Sequence, residues 1–410
     1  MKENGVIIVS MYMNSVKNFV PKVVLGLALA FISLPHNAAA ASQQTAAWVP
    51  WFGGGNTQSA ISHMDKINVL YLFVYEANPD GSLKNRVDFT DKNWSDLIKS
   101  AKDHGTKVIP TVAWFDGDSI DQVLSDPKQR ALHEDVLVQM VKDNNFDGVN
   151  LDYEQKNKET KDNFSLFLKE LNDKLADKVL TCAIEARTPA DSLYKIIPAN
   201  LGYANDYKAI NKYCDWVEIM AYDQQRADLK LNDSRKGVPY MPVADKDWVK
   251  KVIELAVQDI DPKKILLGVP TYGRAWDVSI APEWYRDYAQ VASLNHTRVM
   301  ELSRKYNSKI GRSDGGEAVI TYIPEDSVYK DALSKIKKVP KRTPKGFEAA
   351  AKALQYATDN QTEVQVRFIT WSDATAIKDK LNLVNKYHLR GMAIFKIDGE
   401  EDPKIWKLIK

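Results

Sequence analysis

Cysteine is nearly absent: the 410 residues hold two, Cys182 and Cys214, so no disulfide framework can staple the fold. Both are expected to begin or sit within neighbouring strands, where one bridge is conceivable and buried free thiols are the preferred state. Histidine is also sparse. Its six copies are scattered without metal-ligand spacing, so neither a metal nor another cofactor is expected. Excess charge of one sign is missing as well. The formal net charge of +2 is accounted for by residues 1–40, with three Lys and one Glu. The balanced remainder gives no electrostatic reason to bind nucleic acid or an anionic membrane. Gly53, Gly54 and Gly55 lack the spacing and lysine of a phosphate loop and read as a plain turn. There are no internal repeats, no low-complexity linker and no separate wall-binding module.

Residues 1–40 read as an export signal. Lys17 and Lys22 give a positive start, residues 23–34 an apolar core too short to span a bilayer, and Ala38, Ala39 and Ala40 a small-residue cleavage site. An uncleaved anchor is the competing reading. Met11 and Met13 offer later starts, and no cysteine near the cleavage point suggests a lipid anchor. The mature chain, residues 41–410, is expected to be secreted, or periplasmic and associated with the cell envelope. It is expected to be monomeric, with no membrane contact after cleavage.

From Ala46 onward, short runs rich in Val, Ile and Leu alternate with longer amphipathic stretches, the pattern of parallel strands covered by helices. Eight strands are expected, at residues 46–52, 67–75, 107–114, 147–154, 179–187, 215–223, 265–272 and 391–397. Thr90 or Asp91 can cap a helix ending at Gly105, and Ser125 with Pro127 opens another running to about Lys142. Eight such units predict an α/β fold, a closed (β/α)8 TIM barrel. About ninety residues between Trp276 and Phe368 exceed a single connection, so an α+β insertion is expected at about 277–367, between strand 7 and the last βα unit. The lysines and prolines of residues 335–345 in that interval read as a solvated surface loop, or as a contact for an anionic polymer.

Alternate strand residues share a face, so Asn150, Asp152 and Glu154 point one way, and Val149, Leu151 and Tyr153 the other. The apolar set packs on the helices, which sends the polar set into the barrel, where carboxylates are expensive and stability alone would not place them. Glu154 comes last, at the strand end where barrel enzymes do their chemistry.

These residues resemble glycoside hydrolase family 18, the chitinases and their relatives, whose fourth strand reads Asp-Gly-x-Asp-x-Asp-x-Glu. Asp147, Gly148, Asp152 and Glu154 match, and Asn150 stands where many members have Asp, as in the chitobiase and spore-germination hydrolase branches. Met220-Ala221-Tyr222-Asp223 is similar to the sixth-strand Met-x-Tyr-Asp, and the run from Leu267 through Gly268, Pro270, Tyr272 and Gly273 to Trp276 to the seventh-strand Gly-x-Pro-x-Tyr-Gly.

The resemblance implies a glycosidase acting on a polysaccharide or oligosaccharide that contains N-acetylglucosamine, either chitin oligomers or peptidoglycan. Glu154 would be the acid, and the substrate's own acetamide the nucleophile. Asp152 would accept the acetamide N–H, Tyr222 would donate to its carbonyl oxygen, and Asp223 would help fix the sugar. Asn150 removes one interior acid, so Asp152 is expected to rest ionised and hydrogen-bonded to Asn150. Phe395 stands where the family usually places a Trp floor, a smaller platform without an indole N–H. Trp114, Trp276 and Trp371 are expected near strand ends, where they can stack on sugar. Tyr272 and Arg274 can bond sugar hydroxyls; Glu185 and Arg187 form either a buried pair or a binding contact. A non-catalytic, lectin-like barrel is the competing function.

Overall fold

Residues 43–52 and 56–409 are described by a computed structural model. The export signal expected over residues 1–40 and the turn expected at residues 53–55 lie outside the described residues. Along the chain the strands are β1 (Gln44–Pro50), β2 (Val69–Ala77), β3 (Leu83–Asn85), β4 (Lys107–Trp114), β5 (Gly148–Tyr153), β6 (Val179–Glu185) and β7 (Trp216–Met220). They continue as β8 (Ile265–Pro270), β9 (Tyr272–Ala281), β10 (Trp284–Asn295), β11 (Gly311–Arg312), β12 (Ala318–Tyr322), β13 (Val364–Trp371) and β14 (Gly391–Phe395).

Eight of these close into a parallel barrel in the order β1-β14-β8-β7-β6-β5-β4-β2, with β2 returning to β1 and β3 appended to β2 as a short antiparallel edge. Every expected strand is in the ring. Both faces of each strand are buried, one inside the barrel and one beneath helices, which is why these runs are apolar almost throughout. The helix Lys161–Leu175 shows how the cover is written: Phe164, Phe167, Leu168, Leu171 and Leu175 fall on one stripe and pack inward. The helix Pro127–Asp143 begins with proline in its first turn, and it is Asp126, not Ser125, whose side chain accepts from the free amides of Lys128 and Gln129.

The second sheet has the order β10-β9-β13-β12-β11, and Thr271 alone separates β8 from β9. The helix Glu348–Asn360 covers one face through Ala350, Ala353 and Ala357 against Val278, Ile280 and Phe368. Because β9 leaves directly from β8, its first residues stay at the barrel mouth. The lysine-rich stretch at 335–345 forms no ion pair among the described residues, and most of its charged side chains are exposed.

One expectation is overturned. Cys182 and Cys214 are not free thiols but a disulfide with a Cα–Cα distance of 6.2 Å. The helix Tyr207–Tyr213 ends at Cys214 immediately before β7, which pairs with β6, and this brings the two residues within bridging range.

Candidate active site

The barrel interior carries a polar ladder around Asn150. Its Oδ1 accepts from the Thr111 hydroxyl at 2.8 Å, and its Nδ2 donates to the Thr181 hydroxyl at 2.7 Å and to Glu218 Oε2 at 2.9 Å. The other oxygen of Glu218 accepts from the Tyr71 hydroxyl at 2.5 Å, and Thr111 also accepts from the indole N–H of Trp48 at 3.1 Å. Such a network holds each member in place only because every member has a partner. Burial pushes the Glu218 carboxyl up to about 7, and burial with the Glu218 charge pushes the Tyr71 phenol well above its usual range.

This arrangement corrects the reading of Asp152. Asn150 bonds to Thr111, Thr181 and Glu218, whereas Asp152 Oδ1 is buried without a partner. Nor is Asp152 free of like charge, because β7 contributes Glu218 where β5 contributes the neutral Asn150. Burial, then the charges of Glu154 and Glu185, hold the Asp152 carboxyl protonated well above the usual carboxylate range. Glu218 was legible in principle. Trp216, Glu218 and Met220 alternate on β7, so the one acid of that strand had to face inward.

Glu154 follows β5 and is half-buried at the barrel mouth, its amide donating to the Trp114 carbonyl at 2.9 Å. Burial and the charges of Glu185 and Asp223 raise its carboxyl to about 7, the range a general acid needs near neutrality. Lys156, which the sequence reading passed over, lies two residues on with its side chain 1% exposed and its Nζ 3.9 Å from Glu185. It donates to the Tyr153 carbonyl, and burial lowers its pKa.

Across the mouth, Phe395 is the centre of an aromatic floor. Tyr222 stacks on it with centroids 5.6 Å apart, while Trp48, Phe73 and Tyr272 approach edge-on at 5.9, 6.1 and 6.2 Å. Burial, then the neighbouring Tyr272 and Asp152, keep the Tyr222 proton in place, so its hydroxyl is a donor. Met220 lies inside the barrel beneath this floor. Asp223 sits at φ 55°, a left-handed conformation that aspartate tolerates, and its oxygens accept from the Tyr272 hydroxyl at 2.8 Å and from Arg274 Nε and Nη2 at 3.0 and 2.7 Å. Tyr272 and Arg274 are therefore engaged with Asp223. A cavity of about 380 Å³ opens here, lined by Phe52, Asp223, Tyr272, Arg274 and Phe395 among others.

Trp114, Trp276 and Trp371, the three tryptophans expected to stack on sugar, are not brought to this mouth. Trp114 faces the helices, packs on Tyr153 and His133, and donates to the Ser119 hydroxyl at 2.8 Å. Trp371 and Trp276 are buried in the second sheet. Asp147 and Gly148 lie at the opposite end of β5: Asp147 accepts from the Val108 amide at 2.7 Å, and a Cβ on Gly148 would stand 2.0 Å from the Val179 carbonyl oxygen. Among the described residues no group of three His, Cys, Asp or Glu side chains is placed to hold a metal ion.

Comparison with known proteins adds the rest. The sequence model of the family described as Glycosyl hydrolases family 18 matches residues 44–400. The putative sporulation-specific glycosylase YdhD of Bacillus subtilis (strain 168) is 27% identical over 241 residues, 58% of this chain and 52% of that protein, so the match spans about half of that relative. The cortical fragment-lytic enzyme of Bacillus cereus is 22% identical over 346 residues, covering 84% of this chain and 67% of its own. Among solved structures, a chitinase from Chromobacterium violaceum ATCC 12472 superposes with a TM-score of 0.66 at 20% identity over 90% of this chain and 98% of its own, which shows a shared fold.

Proposed function

The chain belongs to glycosyl hydrolases family 18, and from that membership we propose that it is an exported, monomeric, retaining hydrolase. It cleaves β-1,4 bonds next to N-acetylglucosamine, in peptidoglycan or chitin oligomers, with the substrate's acetamide as nucleophile. The observation that carries this reading is the pairing of Glu154, whose carboxyl titrates near 7, with the buried and unpartnered Asp152. The first supplies a proton to the departing oxygen; the second has an oxygen free to meet the acetamide N–H as the oxazolinium-like intermediate forms. Tyr222 donates to the acetamide oxygen, Phe395 supports the sugar ring, and Asp223, clamped by Tyr272 and Arg274, fixes the side of the sugar.

One feature favours export: the Cys182–Cys214 disulfide is of a kind that persists in oxidising compartments. The names of the relatives, a sporulation-specific glycosylase and a cortical fragment-lytic enzyme, favour cell-wall glycan over chitin.

The test is turnover of an aryl N-acetylchitooligosaccharide by the protein and by Glu154→Gln, with a loss on the order of 10²–10⁴-fold expected in the variant. A matched glucose oligomer, lacking the acetamide, should be inert. Comparable release from the glucose oligomer would exclude the acetamide as nucleophile, equal release by both proteins would sink Glu154 as the acid, and no release by the unmodified protein would leave a carbohydrate-binding barrel.

A further inference from the structure

Glu154 feels the charges of Asp223 and Glu185, which line two different cavities. One is the aromatic mouth over β14. The other opens over the C-terminal ends of β5 and β6, with a volume of about 290 Å³, and is lined by Lys156, Glu185, Arg187, Tyr203, Asn205 and Tyr207. It runs into an outer trough of about 620 Å³ that shares Arg187, Tyr203, Asn205 and Tyr207 and adds Lys161 and Lys208. Glu185 ties this cavity to the acid's own segment: its Oε1 accepts from the Gln155 amide at 3.1 Å, and its Oε2 from Asn205 Nδ2 at 2.6 Å.

Arg187 differs from the cations around it. Lys156 pairs with Glu185 at 3.9 Å, Lys158 with Glu159 at 3.7 Å, Lys161 with Asp206 at 3.3 Å and Lys208 with Asp259 at 3.9 Å. Arg187 has no carboxylate partner among the described residues; its one hydrogen bond is to the Asn205 carbonyl at 3.5 Å. Its guanidinium is nevertheless held in place, 3.8 Å from the Tyr207 ring centroid and 4.4 Å from that of Tyr203. A guanidinium stacked in this way keeps its planar fork free for a bidentate anion with little ordering left to do. Two further polar atoms beside the cavity, the Tyr207 hydroxyl and Asn205 Oδ1, are buried with no protein partner. Native structures leave few such atoms, and each one calls for a partner that the fold itself does not supply.

The position says what that partner is attached to. In the ring of eight, β14 and β5 are four strands apart, on opposite walls. On the hydrolase reading the sugar whose acetamide reacts lies over Phe395 and Tyr222, which puts the sugar that leaves with the proton of Glu154 on the β5–β6 side, beside Arg187. A uniformly neutral amino-sugar chain offers that guanidinium hydroxyl and carbonyl oxygens but no anion.

Resting on the hydrolase reading above, we propose that this cavity is the subsite for an acidic substituent on the departing sugar, and that Arg187 is the specificity-determining residue that binds its carboxylate. The substrate is then a polymer in which N-acetylglucosamine alternates with a carboxylate-bearing amino sugar. The carboxylate is either the free ether-linked acid of N-acetylmuramic acid or a carboxylate of a peptide attached to it.

The experiment compares kcat/KM for three oligomers of equal length: neutral N-acetylglucosamine, one with N-acetylmuramic acid at the leaving position, and the same oligomer carrying an alanyl residue on the lactyl group. The protein is expected to favour an acidic oligomer at least tenfold over the neutral one, with added salt shrinking the preference. Arg187→Gln should bring the acidic-to-neutral ratio near one, and Arg187→Lys should restore only part of it. Because the readout is a ratio within each protein, general damage to the fold cancels. Whichever acidic oligomer shows the larger preference identifies the source of the carboxylate. A ratio of one or less in the unmodified protein, or one that Arg187→Gln leaves unchanged, overturns the proposal. Calorimetric binding of N-acetylmuramic acid against N-acetylglucosamine reads the same cavity if no oligomer is cleaved. Tighter binding of the acid that is lost in Arg187→Gln supports the subsite even though the hydrolase reading fails; equal binding overturns it.

Discussion

Asp152 keeps one carboxyl oxygen buried without a partner, whereas the two oxygens of Asp223 accept three hydrogen bonds from Tyr272 and Arg274. The two acids face the same cleft, yet one is left electrostatically unsettled and the other is locked. The difference lies in what surrounds them. Asp152 comes from the barrel wall near the end of β5, where its neighbours are the acids Glu154, Glu185 and Glu218 and the opposing cation is a largely desolvated lysine. Asp223 follows β7 at the rim, within reach of β9, which brings an arginine. A group whose charge must change during a reaction gains from the first environment, and a group that must hold a position gains from the second.

The largest effect that can break this contrast is at Asp152 itself. Asp152→Asn keeps the shape but can neither release nor take up a proton. It is expected to lower kcat by about 10²–10³-fold with KM nearly unchanged, measured on the aryl oligosaccharide. A loss carried mainly by KM would make Asp152 a clamp like Asp223.

The next effect concerns the buried neighbour. Glu218 has a folded-state carboxyl near 7 against about 4.3 in an unfolded chain, so it is neutral in both states at low pH. As pH rises from about 4.5 to 7, the unfolded chain releases the proton while the folded chain holds it, so the folded state is progressively disfavoured. The full difference is on the order of 4 kcal/mol above pH 7. Glu218→Gln removes this titration. Its stability relative to the parent should rise by up to about that amount between pH 5 and pH 8 in urea unfolding. Parallel stability curves for the two proteins would show that Glu218 does not titrate in this window.

The contrast also marks where the sequence could be read and where it could not. The barrel was legible because eight apolar runs recur between amphipathic stretches, and the placement of Asn150 and Asp152 was legible because strand parity is fixed by geometry. What parity cannot report is which inward residues from other strands meet. Asn150 was expected to bond to its neighbour on the same strand, but interior side chains at one level come from different strands, and Thr111, Thr181 and Glu218 reached it first. The tryptophans failed for a related reason. Trp114 closes β4 on the outward parity shared by Val108 and Val112, so its place at a strand end said nothing about ligand. The disulfide needed the end of the helix Tyr207–Tyr213 to be known to the residue. Arg187 was left between a buried pair and a binding contact; the pair does not form, because Glu185 turns to Lys156, Gln155 and Asn205.

On the locked side of the contrast, Arg274→Gln should release Asp223 by removing the ion pair and two of its three donors. The expected cost is about tenfold in kcat/KM, mostly through KM, since the pair is partly exposed and partly screened. If kcat fell as far as in Asp152→Asn, Asp223 would belong with the responsive groups.

Tyr272→Phe is the smallest and sharpest cut. It deletes one hydroxyl that donates to Asp223 Oδ2 at 2.8 Å and leaves the ring that meets Phe395 edge-on. A single net hydrogen bond contributes about 0.5–1.5 kcal/mol, which predicts a loss of about two- to tenfold in kcat/KM if the bond serves only to hold Asp223. The double variant Tyr272→Phe/Arg274→Gln then decides whether the clamp is one device or two contacts. Losses that multiply mean each donor holds Asp223 independently. A double variant no worse than Arg274→Gln alone means the arginine sets the position and the tyrosine merely follows it.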